Sequence, residues 1–182
     1  GESSEPATRQ RPPTATIDRG TEGDKDKGKR IRIGGGHPGL HGYDVGEEPP
    51  PLSFRKQGKN EWVKLGDYHG KYVLVTFWAS WHRGSLAEQA RIVPVYNRYK
   101  DSGFQVLGVS LDSSHRQLNR IEERLGITWP QRLDAQRRIF KNWGGSALPT
   151  SVLLDPSGFI LAENVPAAAL EPLLRKSMGL EK

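Results

Sequence analysis

A nearly continuous apolar run at residues 72–79, YVLVTFWA, constrains the fold more than any other segment of the chain. Such a run is typical of a strand that is covered on both faces, as in the middle of a sheet. A helical pattern follows at once, from Arg83 to Lys100. Pro94 inside it predicts a kink near residue 90, because proline removes a backbone donor. The sequence therefore predicts a central strand over residues 72–78 that turns sharply into a long helix.

The rest of the globular part alternates short strand and helix patterns. The remaining predicted elements are short strands at 52–54 and 62–65, a strand at 104–111, helices at 117–125 and 135–143, a hairpin of 150–155 with 159–162, and a last helix at 167–178. Strands that alternate with helices and end in a hairpin indicate an α/β fold, with a central mixed β-sheet and helices on both faces.

The first fifty residues have a different composition. Residues 1–50 are rich in glycine and proline and carry mixed charge, so they cannot bury enough apolar surface to offset the entropy of ordering. We predict a disordered tail or tether at 1–50 and one domain at 51–182. His37 and His41 lie in this tail, but Pro38 and Gly39 make a shared helical face unfavourable, and no metal site is expected.

Composition excludes several classes of protein. The chain contains no cysteine, which rules out a disulfide framework and any thiolate metal site. The longest apolar stretch is too short to cross a bilayer, and no charged-then-apolar export signal opens the sequence. The net charge of +6 comes from residues beyond 50 and favours acidic partners weakly. A solvated basic face is the preferred interpretation, and no nucleic-acid-binding pattern accompanies it.

Four segments in order carry a resemblance to a known family. Residues 65–78 match L-x-x-x-x-G-K-x-V-L-x-x-F-W, residues 99–112 match Y-K-x-x-G-F-x-V-x-G-V-S-x-D, residues 78–81 read WASW, and residues 148–158 read LPTSVLLDPSG. Together they resemble the TlpA/ResA-like and AhpC/TSA-like branch of the thioredoxin-like superfamily. The resemblance covers about residues 52–179 and implies a thioredoxin-like fold with an N-terminal strand pair, an extra helix and a cis-proline at Pro149.

The chain departs from this family where the chemistry resides. In relatives W-A-x-W leads directly into C-x-x-C, whereas His82 and Ser85 stand at the two cysteine positions here. Thiol-disulfide exchange needs a thiolate nucleophile and a second thiol, which an imidazole and a hydroxyl cannot replace. We therefore expect no catalytic residue, with Glu88 as a remnant of the acid that assists the thiols in relatives. No cofactor and no metal are expected.

His82 and Ser85 also admit other interpretations. The positive end of the helix dipole disfavours an imidazolium, so a neutral His82 is predicted, and it could act as a base for Ser85. No acid that would orient the imidazole is evident, which makes serine hydrolysis improbable. The favoured interpretation is that the Ser85 hydroxyl satisfies a backbone amide at the helix terminus.

Pro149 suggests a role that needs no thiol. The resemblance implies that a cis Leu148–Pro149 bond would turn the Leu148 backbone toward the helix N-terminus, where it could pair with an extended peptide. The predicted binding groove comprises Trp78, Trp81, His82, Arg83, Leu148, Pro149 and Thr150. In the competing interpretation, the tryptophans only pack and the proline only fixes a turn.

These observations predict a redox-inactive, thioredoxin-like binding or scaffold module. Its partner would be a protein or extended peptide segment and not a nucleic acid, with membrane contact only through an N-terminal anchor missing from this sequence. The resemblance implies an extracytoplasmic location, periplasmic or membrane-tethered. The alternative is a true thiol-disulfide oxidoreductase whose cysteines have been replaced in this form. A hydrolase or metal-dependent enzyme that uses His82 is a third, remote hypothesis.

Overall fold

The computed structural model describes residues 42–181. Its elements are β1 (Ser53–Arg55), β2 (Trp62–Lys64), a 3-10 turn (Leu65–Tyr68), β3 (Tyr72–Trp78), α1 (Arg83–Tyr99), β4 (Phe104–Ser110), α2 (His115–Leu125), β5 (Gln131–Leu133), α3 (Arg138–Asn142), β6 (Thr150–Leu154), β7 (Ile160–Glu163) and α4 (Ala167–Ser177). In the described range, no helix is both long enough and apolar enough to cross a bilayer.

Five strands form a mixed sheet in the order β5-β4-β3-β6-β7, and β1 pairs with β2 as a separate hairpin. β3 lies in the middle, parallel to β4 and antiparallel to β6. The last residue of β3, Trp78, stands opposite Ser110, the last residue of β4. Because parallel strands end at the same edge of a sheet, the loop that enters α1 lies beside the loop that follows β4.

Two hydrophobic clusters pack against the two faces of β3. Leu74 and Trp78 belong to the cluster that includes α1, α2 and α4. Val75 and Phe77 belong to the cluster that includes α3 and the β1–β2 hairpin. Alternate residues of one strand therefore bury on opposite sides, which confirms the predicted mixed sheet with both faces covered.

Two elements differ from the sequence prediction. β5 was not predicted, because a three-residue strand is too short to show periodicity. The helix expected at 135–143 is only Arg138–Asn142. It begins late because the buried Asp134 carboxylate accepts hydrogen bonds from the amides of Arg138 and Phe140, both at 2.9 Å. α1 continues through Pro94, and the kink near residue 90 stays a prediction.

The folded unit begins earlier than the predicted boundary at residue 51. The Gly46 amide donates to the Ile160 carbonyl at 2.7 Å, and the Ile160 amide donates to the Glu47 carbonyl at 2.9 Å. Tyr43 and Val45 pack against the core. Residues 43–50 therefore belong with the domain, because they cover the edge of β7. The histidines His37 and His41 lie outside the described residues, as does the rest of the predicted tail.

Candidate functional site

His82 is the N-cap of α1. Its backbone is extended, and its ring Nδ1 accepts a hydrogen bond from the Ser85 amide at 3.0 Å. The first amides of a helix have no partner inside the helix, so an acceptor at this position stabilises the whole element. The imidazole therefore takes the position that a serine, threonine or aspartate side chain usually holds at the start of a helix.

Ser85 does not perform the capping role that the sequence suggested. The imidazole of His82 satisfies the amide, and Ser85 is the residue whose amide is capped. The Ser85 Oγ lies 3.2 Å from His82 Nδ1, yet Ser85 has no exposed surface. A nucleophile must reach its substrate, so this burial argues against the hydrolase hypothesis.

Glu88 has a structural partner far along the chain. Its Oε2 accepts a hydrogen bond from the Ala167 amide at 2.5 Å, which places a carboxylate at the first turn of α4. Pro166, the N-cap residue of α4, supplies no side-chain cap. A weaker ion pair joins Glu88 to Arg91 at 3.9 Å. Glu88 on α1 therefore stabilises α4, because its carboxylate accepts a hydrogen bond from the first amide of α4 and lies at the positive end of that helix dipole.

The loop that precedes β6 closes on the start of α1. The Leu148–Pro149 peptide is cis, as the sequence predicted. A Cβ added at Gly84 would lie 3.0 Å from His82 Cε1 and 3.5 Å from Pro149 Cδ, so the imidazole, Gly84 and Pro149 are neighbours. Among the described residues, none forms a hydrogen bond with the Leu148 backbone, although the Leu148 side chain packs on the core.

The two tryptophans of the WASW segment have different environments. Trp81 is 56% exposed, and its ring meets that of His82 edge to face at 6.0 Å. Trp78 has no exposed surface, and its Nε1 donates to Gln131 Oε1 at 3.1 Å. The prediction that Trp78 lines the groove is therefore wrong, because it is the last residue of a central strand and faces the core.

Thr150 is also unavailable to a partner. It is buried as the first residue of β6, and its hydroxyl donates to Asn164 Oδ1 at 2.7 Å. Arg83 is exposed at the first position of α1. Of the other predicted residues, Trp81 and Arg83 are exposed and His82, Leu148 and Pro149 are half-buried, and we call these five residues the corner face.

Asp112 fixes the loop at Ser80, which leads into the corner face, by hydrogen bonds. The sequence did not predict this role. Its buried carboxylate accepts hydrogen bonds from the Ser80 amide at 3.0 Å, the Ser80 hydroxyl at 2.7 Å and the Ser110 hydroxyl at 2.8 Å. These bonds fix the loop that presents Trp81. The available signal was the aspartate that ends the matched segment at residues 99–112.

The arrangement holds no recognisable catalytic or metal-binding set. Within residues 42–181, no three His, Asp or Glu side chains lie close enough together to hold a metal ion. The polar atoms of the site are engaged in local structure: Nδ1 of His82 caps α1, Glu88 caps α4, and Asp112 binds the loop. The site presents the exposed ring of Trp81, and no described residue bonds to the Leu148 backbone.

Comparison with known proteins agrees with this architecture. The family model described as the AhpC/TSA family matches residues 45–162. The thiol-disulfide oxidoreductase ResA of Geobacillus thermodenitrificans is 30% identical over 95 residues, which are 52% of this chain and 55% of that protein. ResA of Bacillus subtilis is 26% identical over 120 residues, 66% of each chain. The match thus spans about half to two thirds of these relatives.

Solved structures show the same fold. The thioredoxin domain of a thiol-disulfide oxidoreductase from Bacteroides vulgatus superposes with a TM-score of 0.67 at 28% identity, covering 74% of this chain and 98% of that one. A thiol:disulfide interchange protein from Bacteroides sp. gives a TM-score of 0.67 at 28% identity, covering 75% and 91%. With its thioredoxin-like fold and a family match across most of the described residues, the chain belongs to the AhpC/TSA family.

Proposed function

We propose that this protein is a redox-inactive binding module, which holds an extended segment of a partner protein against the corner face. The chain contains no cysteine, so it has neither the thiolate nor the second thiol that disulfide exchange requires. Without thiols, the corner face can still bind a partner protein by contact alone.

The observation that carries the proposal is the exposed ring of Trp81 on the loop before α1, together with a Leu148 backbone to which no described residue bonds. A ring that is 56% exposed supplies a large contact area at low entropic cost. Among the described residues, none binds the Leu148 N–H or C=O, so an incoming strand can bond to both. The neighbouring positions of His82, Gly84 and Pro149 connect the ring to this segment.

The proposal includes an extracytoplasmic location. The relatives include ResA proteins named as thiol-disulfide oxidoreductases, and the branch that the sequence resembles handles disulfides outside the cytoplasm. Residues 1–41 would then act as a spacer or tether ahead of the domain.

A capture experiment with matched tryptophan variants tests the function. The whole chain is immobilised and incubated with the extracytoplasmic fraction of the source organism, and retained proteins are quantified by mass spectrometry. Trp81→Ala removes the ring from the corner face, whereas Trp62→Ala removes an equally exposed ring from β2. The two sites are well matched, because Trp62 is 55% exposed and each ring has an arginine within 6 Å, Arg55 for Trp62 and Arg137 for Trp81.

The proposal requires a protein whose retention falls about thirtyfold with Trp81→Ala, as expected for an interface tryptophan worth about 2 kcal/mol, and is unchanged with Trp62→Ala. Equal losses in both variants, or none with Trp81→Ala, would contradict it. Leu148 is left intact because its side chain packs on the core, so its loss would confuse binding with stability.

The second candidate is a thiol-disulfide oxidoreductase represented here by a cysteine-replaced form. The names of the relatives favour it, and the sequence resemblance implies that His82 and Ser85 stand at the positions of the family's redox pair. Sequencing the source gene at codons 82 and 85 separates the two candidates. Cysteine codons at both positions would establish the oxidoreductase, and His and Ser codons would remove it.

A further inference from the structure

A row of arginines lies beside the corner face. Arg116, Arg120 and Arg124 recur every four residues along α2 and are all exposed. Side chains at this spacing project from one side of a helix. Together with Ser80, the residue before Trp81, they line a surface cavity of about 470 Å³. The row therefore borders the loop that presents the exposed ring.

None of the three arginines forms an ion pair within the described part of the chain. The ion pairs formed among residues 42–181 are Lys56–Glu61, Arg91–Glu88 and Arg98–Glu171, none of which involves α2. The two acids of α2, Glu122 and Glu123, line a different cavity. The three arginines are exposed along one side of the helix, and none of them forms a salt bridge with Glu122 or Glu123.

Three acids near the corner, Glu88, Asp112 and Asp134, are already engaged in hydrogen bonds. Asp112 and Asp134 are buried, and each accepts hydrogen bonds from amides or hydroxyls. Two more arginines add to the positive charge around the ring. The Arg137 guanidinium lies 5.8 Å from the Trp81 ring centre, and Arg83 is exposed at the start of α1. Arg137 therefore lies against the Trp81 ring, and the arginines of α2 border the same loop at Ser80.

We propose that the partner segment is acidic, with its apolar residue on Trp81, its backbone along Leu148 and its carboxylates on the Arg116–Arg120–Arg124 row. The inference rests on the proposed function and adds the chemistry of the partner. Unpaired charges of one sign around a contact site attract the opposite sign and discriminate against like charge. The Leu148 backbone, to which no described residue bonds, favours a polypeptide over other polyanions, because a polypeptide can pair with it as a strand.

A display library of short peptides, ranging from acidic to basic net charge, tests the inference. It is selected against the whole chain, against Trp81→Ala and against two charge-reversed forms. Arg116→Glu with Arg120→Glu reverses the row, and the glutamate at 116 suits the first turn of α2. Lys59→Glu with Lys64→Glu changes net charge equally on the exposed β1–β2 hairpin. Urea unfolding of each form confirms that it is folded.

The expected result is that acidic peptides with an apolar residue are enriched. Their affinity should fall about tenfold in the Arg116→Glu, Arg120→Glu form, as for the loss and reversal of two exposed charge contacts. The lysine control should leave the affinity unchanged, higher salt should weaken it, and Trp81→Ala should lower it about thirtyfold.

Other outcomes overturn the inference in distinguishable ways. If neutral or basic peptides bind in a Trp81-dependent manner and ignore the arginine row, the acidic partner is excluded while the binding function survives. Binding that is insensitive to Trp81→Ala would exclude both. Tighter binding to phosphatidylglycerol vesicles than to any acidic peptide would assign the row to a membrane surface.

Discussion

At the scale of single residues, His82 shows how a position that held a catalytic group in relatives can serve structure. The imidazole caps α1 through Nδ1, 3.0 Å from the Ser85 amide. The sequence indicated that this helix begins near Arg83, but not which side chain caps it. Histidine is not among the preferred N-cap residues, and the serine three positions later was the more obvious candidate.

Replacing this cap should have a measurable cost. His82→Ala should lower the free energy of unfolding by about 1 kcal/mol, because the Ser85 amide loses its acceptor. His82→Asp should keep most of the stability, since a carboxylate both caps the amide and suits the helix dipole. Urea unfolding of the three proteins provides the comparison. Equal stability of His82→Ala and the parent would show that the cap does not contribute.

Two glutamates should respond to pH in opposite directions. Burial, aided by the charge of Glu123, raises the pKa of Glu122. The hydrogen bond from Tyr99, at 2.9 Å, lowers the pKa of Glu171, with help from Arg98. A raised carboxyl pKa means that stability falls as pH rises past the unfolded value. A lowered pKa means that stability is present above the unfolded value and is lost as pH falls through the folded one.

Neutral variants separate these contributions. Relative to the parent, Glu122→Gln should gain stability as pH rises from acid to neutral, because the penalty for a buried charge is removed. Glu171→Gln should lose stability over the same range. The two pH profiles of unfolding free energy should diverge in opposite directions, and parallel profiles would contradict both pKa shifts.

At the scale of elements, the sequence predicted the strands and helices that have a long local pattern. It missed the short strand β5 and the contacts between residues far apart in the chain. The long apolar run located β3, and helical periodicity located α1, α2 and α4. β5 has only three residues, and its pairing with β4 leaves no pattern in the chain. The contact of Glu88 with Ala167 joins residues 79 positions apart, which no local pattern records.

That contact predicts a local effect on α4. Glu88→Ala should destabilise the protein by about 1 kcal/mol, because the Ala167 amide loses its acceptor and the helix dipole its counter-charge. Amide hydrogen exchange should rise in the first turn of α4 before it rises elsewhere. Arg91→Ala removes only the exposed 3.9 Å ion pair, so it should change stability by less than about 0.5 kcal/mol. Similar effects from both variants would contradict the cap.

At the scale of the whole molecule, the chain has a thioredoxin-like fold, but it carries His82 and Ser85 where the resemblance implies the two cysteines of the redox pair. The sequence predicted that Trp81 would lie near the surface, and it is exposed, but it also placed Trp78 in the groove, and Trp78 is buried. The sequence shows which residue follows a strand, whereas the direction of each side chain depends on how the sheet packs. The three arginines of α2 likewise lie beside the loop at Ser80 because of how α2 packs, and the sequence does not show this contact.

The most direct test of this account is a disulfide reductase assay on the native chain, with His82→Cys, Ser85→Cys as the matched variant. The native protein should show turnover no higher than the uncatalysed background, because it has no thiol. The variant, shown to be folded by urea unfolding, should exceed that background, because the surrounding scaffold is intact. Enzymatic turnover by the native chain, or a folded variant that is wholly inert, would contradict the account.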